Sequence, residues 1–522
     1  MVEDVTKTRR RAGGRSANRR GRSPGIEQLP WRLPKNTDRP TEPLTEEGVA
    51  RIHGAAMRIL EEVGIEFLNE EALELFRKAG ATVEGERVKL GRDFVMEMVA
   101  KAPSSFTITP WNADREIILG DGHILFGAVG SAPNHLSLKG GKTPGSHAQY
   151  RDLLKLTQAF NCIHFNAGYP VEPADLHPST RHLDALFDML TMTDKVVHAY
   201  SLGPERIEDG MDMVKLAAGL DEDAFQSQPH MFTNINSTSP LKHDWPMIDG
   251  CLRCVRRGQA VVVTPFTLAG AMAPVTLAGA VAQSVAEGLS AIALFQYVAP
   301  GSACALGTFT SNVDMATGAP AFGTPEYMRA TQMSGQMARF YGLPMRASGS
   351  CAANVPDAQA MWETANALWS AVQSGTNFVY HGAGWLEGGL IASPEKMVMD
   401  CELIQQILRY FEPDLVSTDE DALAVDAVAE VDLLPASERH FFGIGHTQDR
   451  YESAFYRPFL SNWQNYENWH LGGAVWTHDR ASATVDRMLE AYEPPGLAQD
   501  RVEALEDFVA RRKAEGGAPT DF

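Results

Sequence analysis

Residues 301–385 read GSACALGTFTSNVDMATGAPAFGTPEYMRATQMSGQMARFYGLPMRASGSCAANVPDAQAMWETANALWSAVQSGTNFVYHGAGW, with apolar runs at 303–308, 345–349 and 377–380 that each end in small or polar residues. Helical patterns follow the first two runs at 325–341 and 358–374. An apolar run, a short turn and then a 3.6-residue period is the signature of a βα unit, and a barrel of such units places its site at the strand carboxyl ends. Phe309, Asn312, Asn354, Gln359, Tyr380, His381 and Trp385 fall at or near those ends. The set is aromatic and polar and holds few metal ligands.

The same alternation continues on both sides. Strands are predicted at 123–127, 163–167, 196–201, 230–234 and 260–264, and helices at 179–191, 207–218 and 275–294. Seven or eight units over this span fit an α/β fold of the (β/α)8 TIM-barrel kind better than an open doubly wound sheet. No GxGxxG follows the first strand and no Walker A motif occurs, so both usual nucleotide readings lack a phosphate cradle. Upstream, 1–43 reads as an Arg/Gly-rich tail and linker, and 44–122 as an N-terminal α+β subdomain with strands in FTITPW (106–111) and REIILG (115–120). The barrel core is expected over 123–394 and a mostly helical C-terminal extension over 395–522.

Net charge is −20, yet the first 22 residues carry eight Lys/Arg against two acids, leaving −26 on the remainder. An acidic body argues against nucleic acid as the main partner, and the basic tail reads first as a solvated arm. The most apolar window, 260–282, is broken by Pro265, Gly270 and Pro274 and reads as strand, loop and helix start rather than as a membrane span. No secretory signal is visible and six cysteines are too sparse for a disulfide scaffold, so the expected compartment is a reducing cytoplasm. Cys251 and Cys254 form a CLRC pair with no complementary ligands and read as helix neighbours.

Aromatic faces bind quaternary or tertiary amines by cation–π attraction of about 0.5–2 kcal/mol per ring. Phe309, Tyr380 and Trp385 could form such a cage, although core packing is the ordinary role of an aromatic at a strand end. His381 follows the strand NFVY and precedes the turn GAG, a position that fits a site role as well as a structural one. Asp357 reads as a helix cap, and Glu326 and Glu363 as helix-start residues. HExxH, GxSxG and SxxK…KTG are all missing and the histidines form no HxH pair, so no metal or nucleophile is evident and no tightly bound metal is expected.

RRRAGGRSANRR (9–20), RILEEVGIEF (58–67), the span 318–344, NVPDAQA (354–360), ASPEKMVMDCELI (392–404) and GIGHTQDRYES (443–453) form an ordered set over nearly the whole chain. In that set the chain resembles the trimethylamine methyltransferase (MttB-type) superfamily, cobamide-dependent methyltransferases on an α/β barrel. Its members that act on trimethylamine carry pyrrolysine just before the PDAQ-like segment, at or beside Asn354, whereas every residue here is standard. The resemblance therefore points to non-pyrrolysine relatives acting on glycine betaine, proline betaine, carnitine or γ-butyrobetaine. It implies methyl transfer from a small quaternary amine to Co(I) of a corrinoid (cobamide) carried by a cognate corrinoid protein, and a homo-oligomer, with no nucleic-acid or membrane partner. A quaternary ammonium leaves as a neutral amine, so displacement needs no proton donor and positioning dominates. His381 is the expected catalytic residue, with Phe309, Asn312, Asn354, Gln359, Tyr380 and Trp385 binding substrate. Competing readings are a metal-dependent barrel hydrolase or lyase, and a non-catalytic amine-binding scaffold for a corrinoid protein.

Overall fold

A computed structural model describes residues 22–23, 25–412 and 420–520; the basic tail lies outside them. Six parallel strands form one sheet in the order Phe232–Ile235, Ala260–Val263, Cys304–Gly307, Met345–Ser348, Phe378–Ala383, Leu125–Ala128. The predicted strands at 163–167 and 196–201 contract to single parallel bridges, Gly127–Phe165, Phe165–Val196 and His198–Phe232. Side chains intercept the ladder there. The Phe126 N–H donates to Nδ1 of His164 (3.0 Å), and the Asn234 N–H donates to Nε2 of His198 (3.1 Å). Each imidazole is then fixed as a tautomer by its other nitrogen, which donates to Arg32 O or Ala167 O. The strand predicted from 230 begins at Phe232, because the His230 N–H is taken by the Gln259 side chain.

Helices fill the connections where the 3.6-residue pattern predicted them: Arg181–Met192, Pro204–Ala218, Leu277–Val298, Pro325–Phe340 and Ala358–Gln373. His147–Ala159 and Trp245–Arg256 occupy the remaining connections of the parallel set, and Pro394–Tyr410 follows its last strand. Inside the sheet's concave side, Phe165, Phe232, Phe378 and Tyr380 pack together, with Phe165 and Phe378 stacked at 3.8 Å. A Cβ at residue 127 would lie 2.3 Å from the Phe165 ring, so this strand position has room only for glycine. The hairpin Phe106–Ile108/Ile117–Leu119 adds Ile108, Ile117 and Leu119 to the same cluster, and its Thr109 bonds Pro229 and His230 at a strand's amino end. It plugs the end opposite the carboxyl side.

The rest of the N-terminal layer has a clear physical task. Leu277–Val298 is long and apolar enough to cross a membrane, yet 83% of its most apolar window is buried inside the protein. The helices Glu46–Arg58 and Arg92–Val99 lie against it, so a helix apolar on all faces becomes a core helix. Cys251 and Cys254 are buried neighbours on Trp245–Arg256, with free thiols. The long helices Thr477–Glu490 and Gln499–Ala514 close the C-terminal part.

Candidate functional site at the strand carboxyl ends

Strand Phe378–Ala383 slips register against Leu125–Ala128 between Val379 and Ala383, and His381 adopts φ 53°. In a regular strand Tyr380 and His381 would face opposite sides. The bulge instead brings both to one guanidinium: Arg346 Cζ lies 4.4 Å from the Tyr380 ring centroid, and its Nη2 lies 3.4 Å from His381 Nε2. A bulge re-aiming a side chain beside a site, with a non-glycine residue at positive φ, is a costly arrangement kept where geometry matters. Arg346 comes from the neighbouring strand Met345–Ser348 and is 2% exposed. Its other side faces Phe309 at 5.4 Å.

Aromatic rings continue outward from there. Phe309 lies 4.9 Å from Phe266, 5.2 Å from Phe322 in a stacked pair, 6.1 Å from Trp385 and 6.2 Å from His381. His381 and Trp385 are 4.0 Å apart. Trp385 rests on Gly389, where a Cβ would sit 2.4 Å from the indole.

The polar atoms of this cluster are short of acceptors. Arg346 Nη1 donates to Thr308 O (3.3 Å), but among the described residues no carboxylate pairs with Arg346, and its Nε has no partner. Since the guanidinium donates to His381 Nε2, the imidazole proton sits on Nδ1, and that nitrogen is unpartnered as well. The Tyr380 hydroxyl and Trp385 Nε1 complete the set. An uncompensated cation and three further buried donors without partners, within one aromatic cluster, make an arrangement that an anionic group on a small cationic ligand would satisfy.

Burial dominates the electrostatics. It holds the His381 imidazole well below its ordinary value, with Arg346 and then His198 pushing the same way, so the ring is neutral. Burial also lowers Arg346 to about 10, against which Tyr380 and Tyr327 act, and it raises the Tyr380 phenol. Arg346 stays charged and Tyr380 stays a donor at neutral pH. Behind the cluster the turn is braced from below. Asp400, wholly buried and paired with Lys396, accepts the Gly384 N–H (2.8 Å), and Lys396 also donates to Thr364 (2.8 Å). Cys351 Sγ donates to Trp385 O (3.0 Å).

A family model described as trimethylamine methyltransferase (MTTB) matches residues 10–517. The chain belongs to the trimethylamine methyltransferase family. It is 35% identical over 475 residues to a glycine betaine methyltransferase of Desulfitobacterium hafniense, covering 91% of this chain and 98% of that protein. It is 28% identical over 479 residues to a trimethylamine methyltransferase MttB of Methanosarcina thermophila (89% and 96%). A proline betaine:corrinoid methyltransferase of Eubacterium limosum is 27% identical over 471 residues (88% and 96%).

Within this family member, the residues predicted as a site separate into two groups. Phe309, Tyr380 and His381 come together around Arg346, with Trp385 against His381 and Phe309, all of them buried. Asn312 lies in strand Ser311–Val313, where its side chain donates to Val313 O and accepts from Thr324, tying down a hairpin. Asn354 and Gln359 are exposed, and Gln359 donates to Glu363. Asp357 caps the helix Ala358–Gln373 through Ala360 N, as the pattern suggested. Glu363 does more than complement a helix end: its Oε2 accepts the Ala352 and Ala353 N–H groups (2.8 and 3.0 Å) and fixes the loop after the strand. The cluster also holds Arg346, Phe266 and Phe322, which the strand-end rule did not select. Arg346 had left a signal, a lone charge inside a strand otherwise reading as buried.

Proposed function

We propose that this family member transfers a methyl group from a carboxylate-bearing quaternary amine, glycine betaine or a close relative, to the Co(I) corrinoid of a separate carrier protein. The observation that carries the reading is the buried, unpaired guanidinium of Arg346 among three further donors without acceptors. A carboxylate supplies that acceptor. The names of two similar proteins, a glycine betaine methyltransferase and a proline betaine:corrinoid methyltransferase, support the same substrate class. The substrate carboxylate is held by Arg346, Tyr380 O–H, Trp385 Nε1–H and His381 Nδ1–H. The N-methyl groups lie against Phe309 and the rings beside it, and the burial of these side chains keeps water from the ammonium.

The corrinoid supplies the nucleophile. The leaving group is a neutral tertiary amine, which needs no proton, and this agrees with a His381 held neutral by burial: it positions and donates one hydrogen bond without acting as an acid. We read the eight parallel segments, linked by their three bridges, as a closed (β/α)8 barrel, since those bridges join the sheet's two edge strands. On the boundaries given by the sequence, an N-terminal layer 44–122 and a helical extension 395–522 accompany the core 123–394, with 1–43 as tail and linker; residues 1–21 and 413–419 lie outside the described residues. Cytoplasmic residence, a cognate corrinoid protein as partner and homo-oligomeric assembly belong to the same reading.

Calorimetric titration of the protein alone tests the substrate class. Glycine betaine is expected to bind, while choline and tetramethylammonium, which carry the ammonium without the carboxylate, bind at least about tenfold more weakly, the factor matching loss of roughly 1.4 kcal/mol. Equal binding of all three would overturn the carboxylate assignment.

A further inference from the structure

The segment Phe441–Trp476 holds ten aromatic residues in 36, far above the 8% of the whole chain. Half of them are largely exposed, and their ring contacts are local, such as Tyr466 with Trp469 and His470 and Trp476 with His478. Phe442, Phe455, Trp463, Tyr466 and Trp476 are between 66% and 85% exposed, and Leu471 is 84% exposed. Nearby, Ala427, Val431 and Ile444 form a buried cluster of their own, separate from the main core. The segment is attached to the body around one carboxylate: Glu402 accepts from Tyr456 O–H (3.1 Å), and from the N–H groups of Phe459 and Leu460 (3.0 Å each). Arg409 adds a bond to Ala454 O (3.2 Å).

We infer that this segment is a self-association surface, covered in solution by a second copy of the chain. Three observations favour that occupant. The six side chains together expose on the order of 800 Å2, about what each partner contributes to a stable dimer. The segment is nearly neutral, with three acids against two arginines, in a chain of net charge −20, so two copies meet here without the repulsion the rest of the acidic surface would bring. Its anchor points are also set back from the proposed site. Helix Pro394–Tyr410 begins beside the Gly384 turn (Ser393 N–H to Gly384 O, 3.0 Å) and runs 17 residues, and the segment attaches at its middle residue, Glu402, about 12 Å along, and near its far end, at Arg409. A carrier protein delivering its corrinoid to the strand carboxyl ends would leave this surface uncovered. The inference names the surface for the homo-oligomer proposed above, but it is read without substrate and stands or falls apart from the methyl-transfer assignment.

Sedimentation velocity of the full chain at micromolar concentration tests it. The expected species is at least twice 57.0 kDa. The combined substitutions Phe455→Ser, Trp463→Ser and Leu471→Ser are expected to give the 57.0 kDa monomer with unchanged far-ultraviolet circular dichroism. Trp463→Arg alone, a change at an exposed position, is expected to raise the dissociation constant at least about tenfold, the equivalent of 1.4 kcal/mol, and keeps the test alive should the triple variant not fold. A monomeric wild-type protein, or variants that remain assembled as the wild type does, would overturn the inference. So would a monomer in which Trp463→Arg weakens binding of the carrier protein instead, since the surface would then belong to the carrier.

Discussion

A guanidinium removed from water without a counter-charge costs several kcal/mol, and Arg346, 2% exposed with no carboxylate partner among the described residues, bears that cost in the free protein. Arg346→Gln is therefore expected to leave stability to urea unchanged or raised while weakening glycine betaine binding by roughly 30-fold or more, the equivalent of about 2 kcal/mol or more for a lost buried charge pair. Lower stability with binding retained would make Arg346 a structural residue. The histidines give a second test at this scale. Burial lowers His164 to about 3 and His198 to about 4, and His381 well below its ordinary value. Between about pH 6.5 and 4 the unfolded chain binds protons on these rings that the folded chain does not, so stability is full above that window and falls as pH drops through it. Each ring contributes up to about 1.4 kcal/mol per pH unit. Denaturant titrations at neutral and acidic pH should show this slope, and His381→Asn should remove one ring's share; a slope unchanged by the substitution would mean His381 is protonated in the fold. That Phe309, Tyr380, His381 and Trp385 would gather at one end of the strands was legible from the sequence, because strand ends follow a positional rule. Asn354 and Gln359 were not separable from them by position alone, since exposure is decided by how the loop after Ser348 folds back on Glu363.

The turn that carries His381 and Trp385 depends on elements behind it. In helix Pro394–Tyr410 the pair Lys396–Asp400 is fully buried, and Asp400 holds the Gly384 N–H. Burial raises the Asp400 carboxyl, while the Lys396 charge opposes that rise. Asp400→Asn leaves a buried ammonium uncompensated and is expected to cost about 3–5 kcal/mol, whereas adding Lys396→Met should restore most of it. Chemical denaturation of both variants checks this; a single variant as stable as the wild type would show that the pair does not brace the turn. Most helices and six strands were legible from periodicity, because an apolar strand between two helical stretches has few alternatives. The two strands that contract to bridges, around Phe165 and Val196, were not, since there imidazole nitrogens of His164 and His198 replace backbone partners. No propensity rule registers a side chain that substitutes for a ladder bond.

Across the whole molecule, the N-terminal layer and the C-terminal helices bury an inner set of parallel strands whose carboxyl ends hold a dry, cationic and aromatic cluster. The layer earns its place by covering Leu277–Val298, and the hairpin Phe106–Ile108/Ile117–Leu119 closes the opposite end. In the proposed reading this body binds and orients a small zwitterion, and the corrinoid of a separate carrier supplies the reactive partner. The most direct measurement mixes the purified protein with Co(I) corrinoid, free and on its carrier protein, and follows the visible spectrum as glycine betaine, proline betaine, carnitine, γ-butyrobetaine, dimethylglycine or trimethylamine is added. The account predicts methylated corrinoid with one or more carboxylate-bearing quaternary amines, and none with trimethylamine or dimethylglycine. Methylation by trimethylamine alone, or by no amine even with the carrier present, would contradict it.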